Sequence, residues 1–174
     1  MNSRILLFTG DGKGKTTAAI GMALRAWGQG LKVIVVQFVK DFQNTGEFKA
    51  IKKLDGIDIV QLGLGFPPSD KSSLEFEKHK QKCNEALLFV SEILVKNESG
   101  FIVLDEVCFA VSAGLIEEQK VAEMIKAAPD NLIIALTGRG ATPGLIEIAD
   151  TVTEMKCIKH GYESGIKAQL GVEY

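Results

Sequence analysis

The chain has 174 residues, a net charge of −2 and 46% hydrophobic residues, which suits a single domain over residues 1–174 with a real core. Its near-neutral, slightly acidic balance argues against a broad nucleic-acid footprint. No apolar run approaches the ~20 residues of a membrane span, and Met1-Asn2-Ser3-Arg4 does not lead into a signal peptide. Cys83, Cys108 and Cys157 are far apart and odd in number. That pattern argues against a zinc site or disulfide framework and for a reducing, cytoplasmic setting, with each cysteine a small buried hydrophobe.

The apolar run Ile5-Leu6-Leu7-Phe8 predicts a first strand, and Thr9-Gly10-Asp11-Gly12-Lys13-Gly14 the turn after it. A helix from Thr16 to about Trp27 carries Ile20, Ala23, Leu24 and Trp27 as its apolar stripe. Gly28-Gln29-Gly30 ends it. Leu31 to Val39 reads as a nearly continuous buried strand, as in a parallel sheet covered on both faces. Asn44 with Glu47 is placed to cap a helix through Leu54, and Ile57-Asp58-Ile59-Val60 is a short strand. Gln61 to Asp70, with two glycines and two prolines, is a loop that leaves the Phe66 ring exposed. Ser72 and Glu75 predict a capping box opening a helix to about Lys96. Cys83, Ala86, Leu87, Val90, Ile93 and Leu94 form its inner face, and His79 belongs to its solvated side.

Phe101 to Leu104 is an apolar strand ending in Asp105-Glu106. A helical turn, a break at Gly114-Leu115, and a helix from about Glu117 to Ala127 follow, with Val121, Met124 and Ile125 inward. Leu132 to Leu136 is a buried strand that ends in Thr137-Gly138-Arg139-Gly140. Leu145 to Ala149 is a short helix and Thr151 to Cys157 a last strand. Strands alternating with helices predict a three-layer, doubly wound, mainly parallel α/β sheet. In such sheets ligands collect at the carboxyl ends of the strands.

Three motifs converge on that edge. The glycines of the first turn let backbone N–H groups approach an anion, and the helix that follows adds the positive end of its dipole. Lys15 reaches phosphate as a point charge, Lys13 lies inside the same loop, and the Thr16 hydroxyl can ligate Mg²⁺. Thr9 stands where the usual P-loop has its first glycine. Asp105-Glu106 reads as the acidic end of a Walker B strand, with Glu106 favoured as the metal ligand and Asp105 behind it. Arg139, between glycines, is placed to reach a phosphate. Arg25 on the first helix is open to either a salt bridge or a nucleotide contact. From spacing alone the chain reads as a magnesium- and triphosphate-binding P-loop protein, and an ATPase or kinase acting by γ-phosphoryl transfer stays open.

Taken together, the segments Thr9 to Ala19, Val36-Gln37-Phe38-Val39-Lys40, Leu104-Asp105-Glu106, Thr137 to Gly140, Ala149 to Glu154, Lys159-His160-Gly161-Tyr162 and Gly165 to Tyr174 resemble the P-loop ATP:corrinoid adenosyltransferase family. The resemblance implies a P-loop NTPase fold of the RecA-like type. It also implies transfer of the 5′-deoxyadenosyl group of ATP to the cobalt(I) of a reduced corrinoid, with inorganic triphosphate leaving. The implied corrinoid is cobalamin, cobinamide or cobyrinic acid diamide.

The nucleotide-binding set is then Gly10, Asp11, Gly12, Lys13, Gly14, Lys15, Thr16, Thr17 and Arg139, with Arg25 kept as a candidate. Lys15, Lys13 and Arg139 stabilise the leaving group, and Thr16, Glu106 and Asp105 hold Mg²⁺, for which Mn²⁺ can substitute. Phe66 lies against the corrinoid, while Pro68 stands where the best-known family pattern has a tryptophan. An N-terminal extension that covers the corrinoid in some relatives is not expected here. A homodimer, a flavoprotein reductant and a structural or dimer-forming His160 complete the implied picture.

Overall fold

The computed structural model describes residues 3–41 and 45–172. Six strands form one sheet: β1 (Arg4–Thr9), β2 (Val33–Gln37), β3 (Ile57–Gln61), β4 (Phe101–Asp105), β5 (Ile133–Thr137) and β6 (Thr151–Glu154). Their order is β3-β2-β4-β5-β1-β6, and every pairing is parallel. The connecting helices are α1 (Lys15–Gly28), α2 (Gly46–Ile51), α3 (Leu74–Lys96), α4 (Val107–Ser112), α5 (Glu118–Lys126) and α6 (Pro143–Ile148). A 3-10 turn, Gly161–Ser164, follows β6.

The period-2 alternation of the strands divides the core in two. Ile5, Leu7, Val36, Ile102, Leu104, Ile134 and Leu136 face one side, where α3 to α6 bring Cys83, Val90, Cys108, Val121 and Leu145. Leu6, Val33, Val35, Phe101, Val103 and Ala135 face the other, against Ala19, Ala23 and Ala26 of α1 and Ile51 of α2. The doubly wound, three-layer α/β architecture is therefore as the alternating elements predicted, with all strands parallel.

Local expectations differ in instructive ways. The buried stripe of α1 is made of Ala19, Ala23 and Ala26, while Leu24 is 49% exposed. Small side chains let the helix that starts at the phosphate loop lie close to the sheet, and Leu24 falls on the outer face. His79 is buried, not solvated. It shares the i, i+3, i+7 row of α3 with Phe76 and Cys83, so its position outweighs its polarity.

The α3 cap is Ser73, whose hydroxyl accepts from Phe76 N at 3.1 Å. Ser72 instead donates its N–H and hydroxyl to Asp70 Oδ1, so the cap falls one residue later than expected, and Phe76 in the third position cannot return the bond that a capping box requires. Asn44, expected to cap α2, lies outside the described residues, and Thr45 holds the N-cap position. Cys83 and Cys108 are buried, whereas Cys157 is exposed, because the last strand stops at Glu154 and the chain beyond it runs over the surface.

Candidate functional site at the carboxyl edge

The turn between β1 and α1 is shaped from two sides. Gly10 and Gly14 take left-handed φ of +94° and +113°, conformations that cost other residues strain. From the second side, the chain after β6 presses against the loop. A Cβ on Gly10 or Gly12 would stand 2.5 or 2.7 Å from the Met155 carbonyl oxygen. Gly12 N donates to that oxygen at 2.7 Å, and Met155 N donates to Thr9 O at 2.8 Å. The loop glycines thus answer to Met155 as well as to an anion. Thr9 also gains a reason to replace glycine: its hydroxyl accepts from Ala141 N at 3.2 Å. That bond ties the phosphate loop to the loop that carries Arg139.

Lys15 is buried, and its ammonium donates to Gly10 O and Gly12 O at 2.7 Å each. Burial lowers its pKa from the ordinary lysine value, with Glu106 opposing the shift. Asp105, wholly buried at the end of β4, is the hub of a polar network. Its Oδ1 accepts from the hydroxyls of Thr16 and Thr137 at 2.7 Å each, and its Oδ2 from Gln37 Nε2 at 2.8 Å. Gln37 in turn accepts from Gln61 Nε2 at 2.8 Å. Thr137 Oγ1 accepts from Glu106 N at 2.9 Å, which holds Glu106 in a left-handed conformation of φ 63°.

Glu106 therefore turns out of the sheet and into a cavity of about 530 Å³. Lys13, Gly14, Lys15, Thr16, Thr17 and Lys40 are among the residues that line the same cavity. Burial, reinforced by Asp105, pushes the Glu106 carboxyl above the usual range, while Lys15, Lys40 and Arg139 pull the other way. Beside the loop, Arg139 Nε lies 3.9 Å from Asp11 Oδ1, with both side chains exposed.

Arg25 does not join this cluster. It lies in the last turn of α1 and is exposed, about 15 Å along the axis from Lys15 at ~1.5 Å per residue. The helix that brings Lys15 to the cavity necessarily carries Arg25 away from it. Phe66 is 72% exposed, and its ring meets Phe109 of α4 edge to face at 5.5 Å. The aromatic neighbour of Phe66 therefore comes from another element, not from the Pro68 position. His160 accepts from Tyr162 N through Nδ1 at 3.2 Å and caps the 3-10 turn.

Gln37, Lys40 and Met155 were not among the expected site residues. A polar Gln37 inside an apolar strand was the available signal, since a buried amide needs designated partners. Nothing local marks Met155.

A phosphate loop before a helix, a buried carboxylate bonded to the threonine after its lysine, and a parallel sheet with helices on both faces define a P-loop nucleotide-dependent enzyme. The family model described as ATP:corrinoid adenosyltransferase BtuR/CobO/CobP matches residues 2–174. A corrinoid adenosyltransferase of Pseudomonas aeruginosa is 39% identical over 98% of this chain and 83% of its own length. One from Escherichia coli K12 is 34% identical over 98% of this chain and 85% of its own. Corrinoid adenosyltransferase CobA of Salmonella typhimurium matches with the same 34%, 98% and 85%. The chain belongs to the ATP:corrinoid adenosyltransferase family, enzymes that adenosylate corrinoids with ATP, and the phosphoryl-transfer alternative is set aside.

Proposed function

We propose that the cobalt(I) of a reduced corrinoid attacks C5′ of ATP in this site. The cobalt electron pair forms the Co–C bond, the C5′–O bond breaks, and its electrons leave with inorganic triphosphate. The observation that carries this reading is the P-loop cavity, where Lys13, Lys15 and Thr16 converge. Their charges and donors stabilise a departing polyanion without any need to activate water. Arg139, loosely held by Asp11, is free enough to close on the outer phosphate oxygens.

Thr16, Asp105 and Glu106 are hard oxygen donors that fit Mg²⁺ or Mn²⁺. Among the described residues no group of three or more His, Cys, Asp or Glu is arranged to hold a metal. Such an ion would be bound through one or two protein oxygens plus substrate phosphates. Asp105 already accepts from three donors, among them the Thr16 hydroxyl, so its role is to orient Thr16, and Glu106 is the carboxylate that lines the cavity. Bound there, the metal would neutralise part of the triphosphate charge.

The exposed ring of Phe66, backed by Phe109, offers an apolar ledge for the flat face of the corrinoid. No helix among the described residues is long and apolar enough to cross a membrane. A cytoplasmic homodimer of one-domain subunits, with cobalt reduced by a flavoprotein, is the setting we assign. The reading is tested by incubating the protein with MgATP and a chemically reduced corrinoid. Inorganic triphosphate and a light-sensitive adenosylated corrinoid are expected; ADP and phosphate formed regardless of corrinoid would overturn it.

A further inference from the structure

Lys40 follows β2 by three residues and lines the nucleotide cavity together with Lys13 and Lys15. In the sheet, β4 and β5 separate β2 from β1, so the two strands stand about 14 Å apart at ~4.8 Å per step. Lys40 and the phosphate loop thus enter the cavity from well-separated strands. The Lys40 ammonium lies 3.2 Å from Glu47 Oε1 and 3.5 Å from Asp105 Oδ2. Burial alone would lower its pKa, but Asp105, Glu47 and Glu106 outweigh burial and keep it charged.

Asp105 does not rest on Lys40 alone, and Glu47 holds it only at the solvent side. Asp105 already accepts three shorter hydrogen bonds, from Thr16, Thr137 and Gln37. The Lys40–Glu47 pair keeps side-chain exposures of 30% and 25%, and ion pairs in contact with water contribute little. The bond to Glu47 is therefore the one Lys40 can exchange for a phosphate oxygen, while Asp105 stays beside it.

We propose that Lys40 is a substrate-binding residue: it leaves Glu47 and takes the phosphate chain of ATP from the β2 side, while Lys15 holds it from the loop. As the C5′–O bond breaks, negative charge grows on the departing triphosphate. A cation already in contact with it then acts without reorganisation. Only the identity of the leaving group rests on the adenosyltransferase reading.

The test is equilibrium binding of inorganic triphosphate and of MgATP, without corrinoid, to the wild type, Lys40→Ala and Lys40→Arg, beside melting temperatures. Lys40→Ala is expected to weaken triphosphate binding at least about tenfold, which corresponds to about 1.4 kcal/mol. It should also flatten the salt dependence and raise KM for ATP by a similar factor, and Lys40→Arg should recover most of the affinity. Triphosphate affinity within about twofold of wild type in Lys40→Ala would overturn the proposal. So would equal loss in both variants with a lowered melting temperature, since Lys40 would then be a structural counter-ion. If Lys40→Ala fails to fold, Lys40→Met keeps the alkyl stem and is read by the same criteria. Absence of corrinoid adenosylation by the wild type would refute the proposed reaction and leave these binding results standing.

Discussion

Asp105→Ala removes the acceptor on which Thr16, Thr137 and Gln37 converge at 2.7, 2.7 and 2.8 Å. Hydrogen bonds to a charged group contribute roughly 1.5–3 kcal/mol each, so three of them set an upper bound of about 5–9 kcal/mol. Part of that is offset because a wholly buried carboxylate no longer has to be desolvated. Removing one member of a buried charged cluster costs about 3–5 kcal/mol, and that is the range expected here. For a domain of this size each kcal/mol moves Tm by about 2–4 °C, which places the fall near 10 °C. Asp105→Asn should be milder, about 1–3 kcal/mol. Its oxygen can still accept from the threonines, but its NH₂ meets the Gln37 NH₂ unless the Gln37 amide turns over. That turn would set Gln37 donors against Gln61 Nε2, which now donates to Gln37. Urea titration and thermal melts of both variants make the measurement. An Ala variant that melts within about 2 °C of wild type, or an Asn variant worse than Ala, would refute the reasoning.

Lys15→Ala should leave the fold intact, because the ammonium donates to Gly10 O and Gly12 O of its own loop. A charge 4 Å from phosphate in a partly screened site contributes on the order of 4 kcal/mol before desolvation, so ATP titration should show at least hundredfold weaker binding; wild-type turnover would remove the loop from the mechanism. Burial pushes the Cys83 thiol up to about 11 and the Cys108 thiol up to about 12, so alkylation of the native protein near neutral pH should label Cys157 alone, as counted by mass spectrometry. The same raised pKa values favour the protonated thiols in the folded state. Their stabilisation is complete below about pH 9, the ordinary thiol value, and is lost as pH rises through about 11 and 12. Cys83→Ala should therefore flatten the alkaline limb of a stability-against-pH curve; an unchanged limb would count against the buried-thiol account. Phe66→Ala should slow corrinoid turnover more than it weakens ATP binding, and an unchanged rate would refute the corrinoid ledge.

The sheet was legible because its inner strands β2, β4 and β5 are apolar on both faces and glycines mark the carboxyl ends of β1 and β5. The cluster of Lys13, Lys15, Thr16, Asp105 and Glu106 was legible for the same reason, since each stands beside a strand end. What escaped depended on packing across the chain. The inner face of α1 is chosen by how closely it approaches the sheet, so Ala19 and Ala26 are buried and Leu24 is not. His79 is carried inward by its place on α3. Gln37 and Lys40 gain their meaning from Asp105, which lies 68 and 65 positions away along the chain. Arg25, open to a salt bridge or a nucleotide contact, is carried about 15 Å from Lys15 by the length of α1.

The bonds from Met155 to Thr9 and Gly12 have a consequence for how the protein becomes competent. The phosphate loop precedes every other part of the site along the chain, yet the residue that braces it comes more than 140 positions later. Contacts of such separation form late, because the loop between them must be closed first. The first strand and helix can form early without a finished grip on nucleotide. During refolding, capture of a fluorescent ATP analogue should lag behind formation of the central strands and appear only when β6 docks. Nucleotide binding would then serve as a signal that the sheet has closed at its last edge.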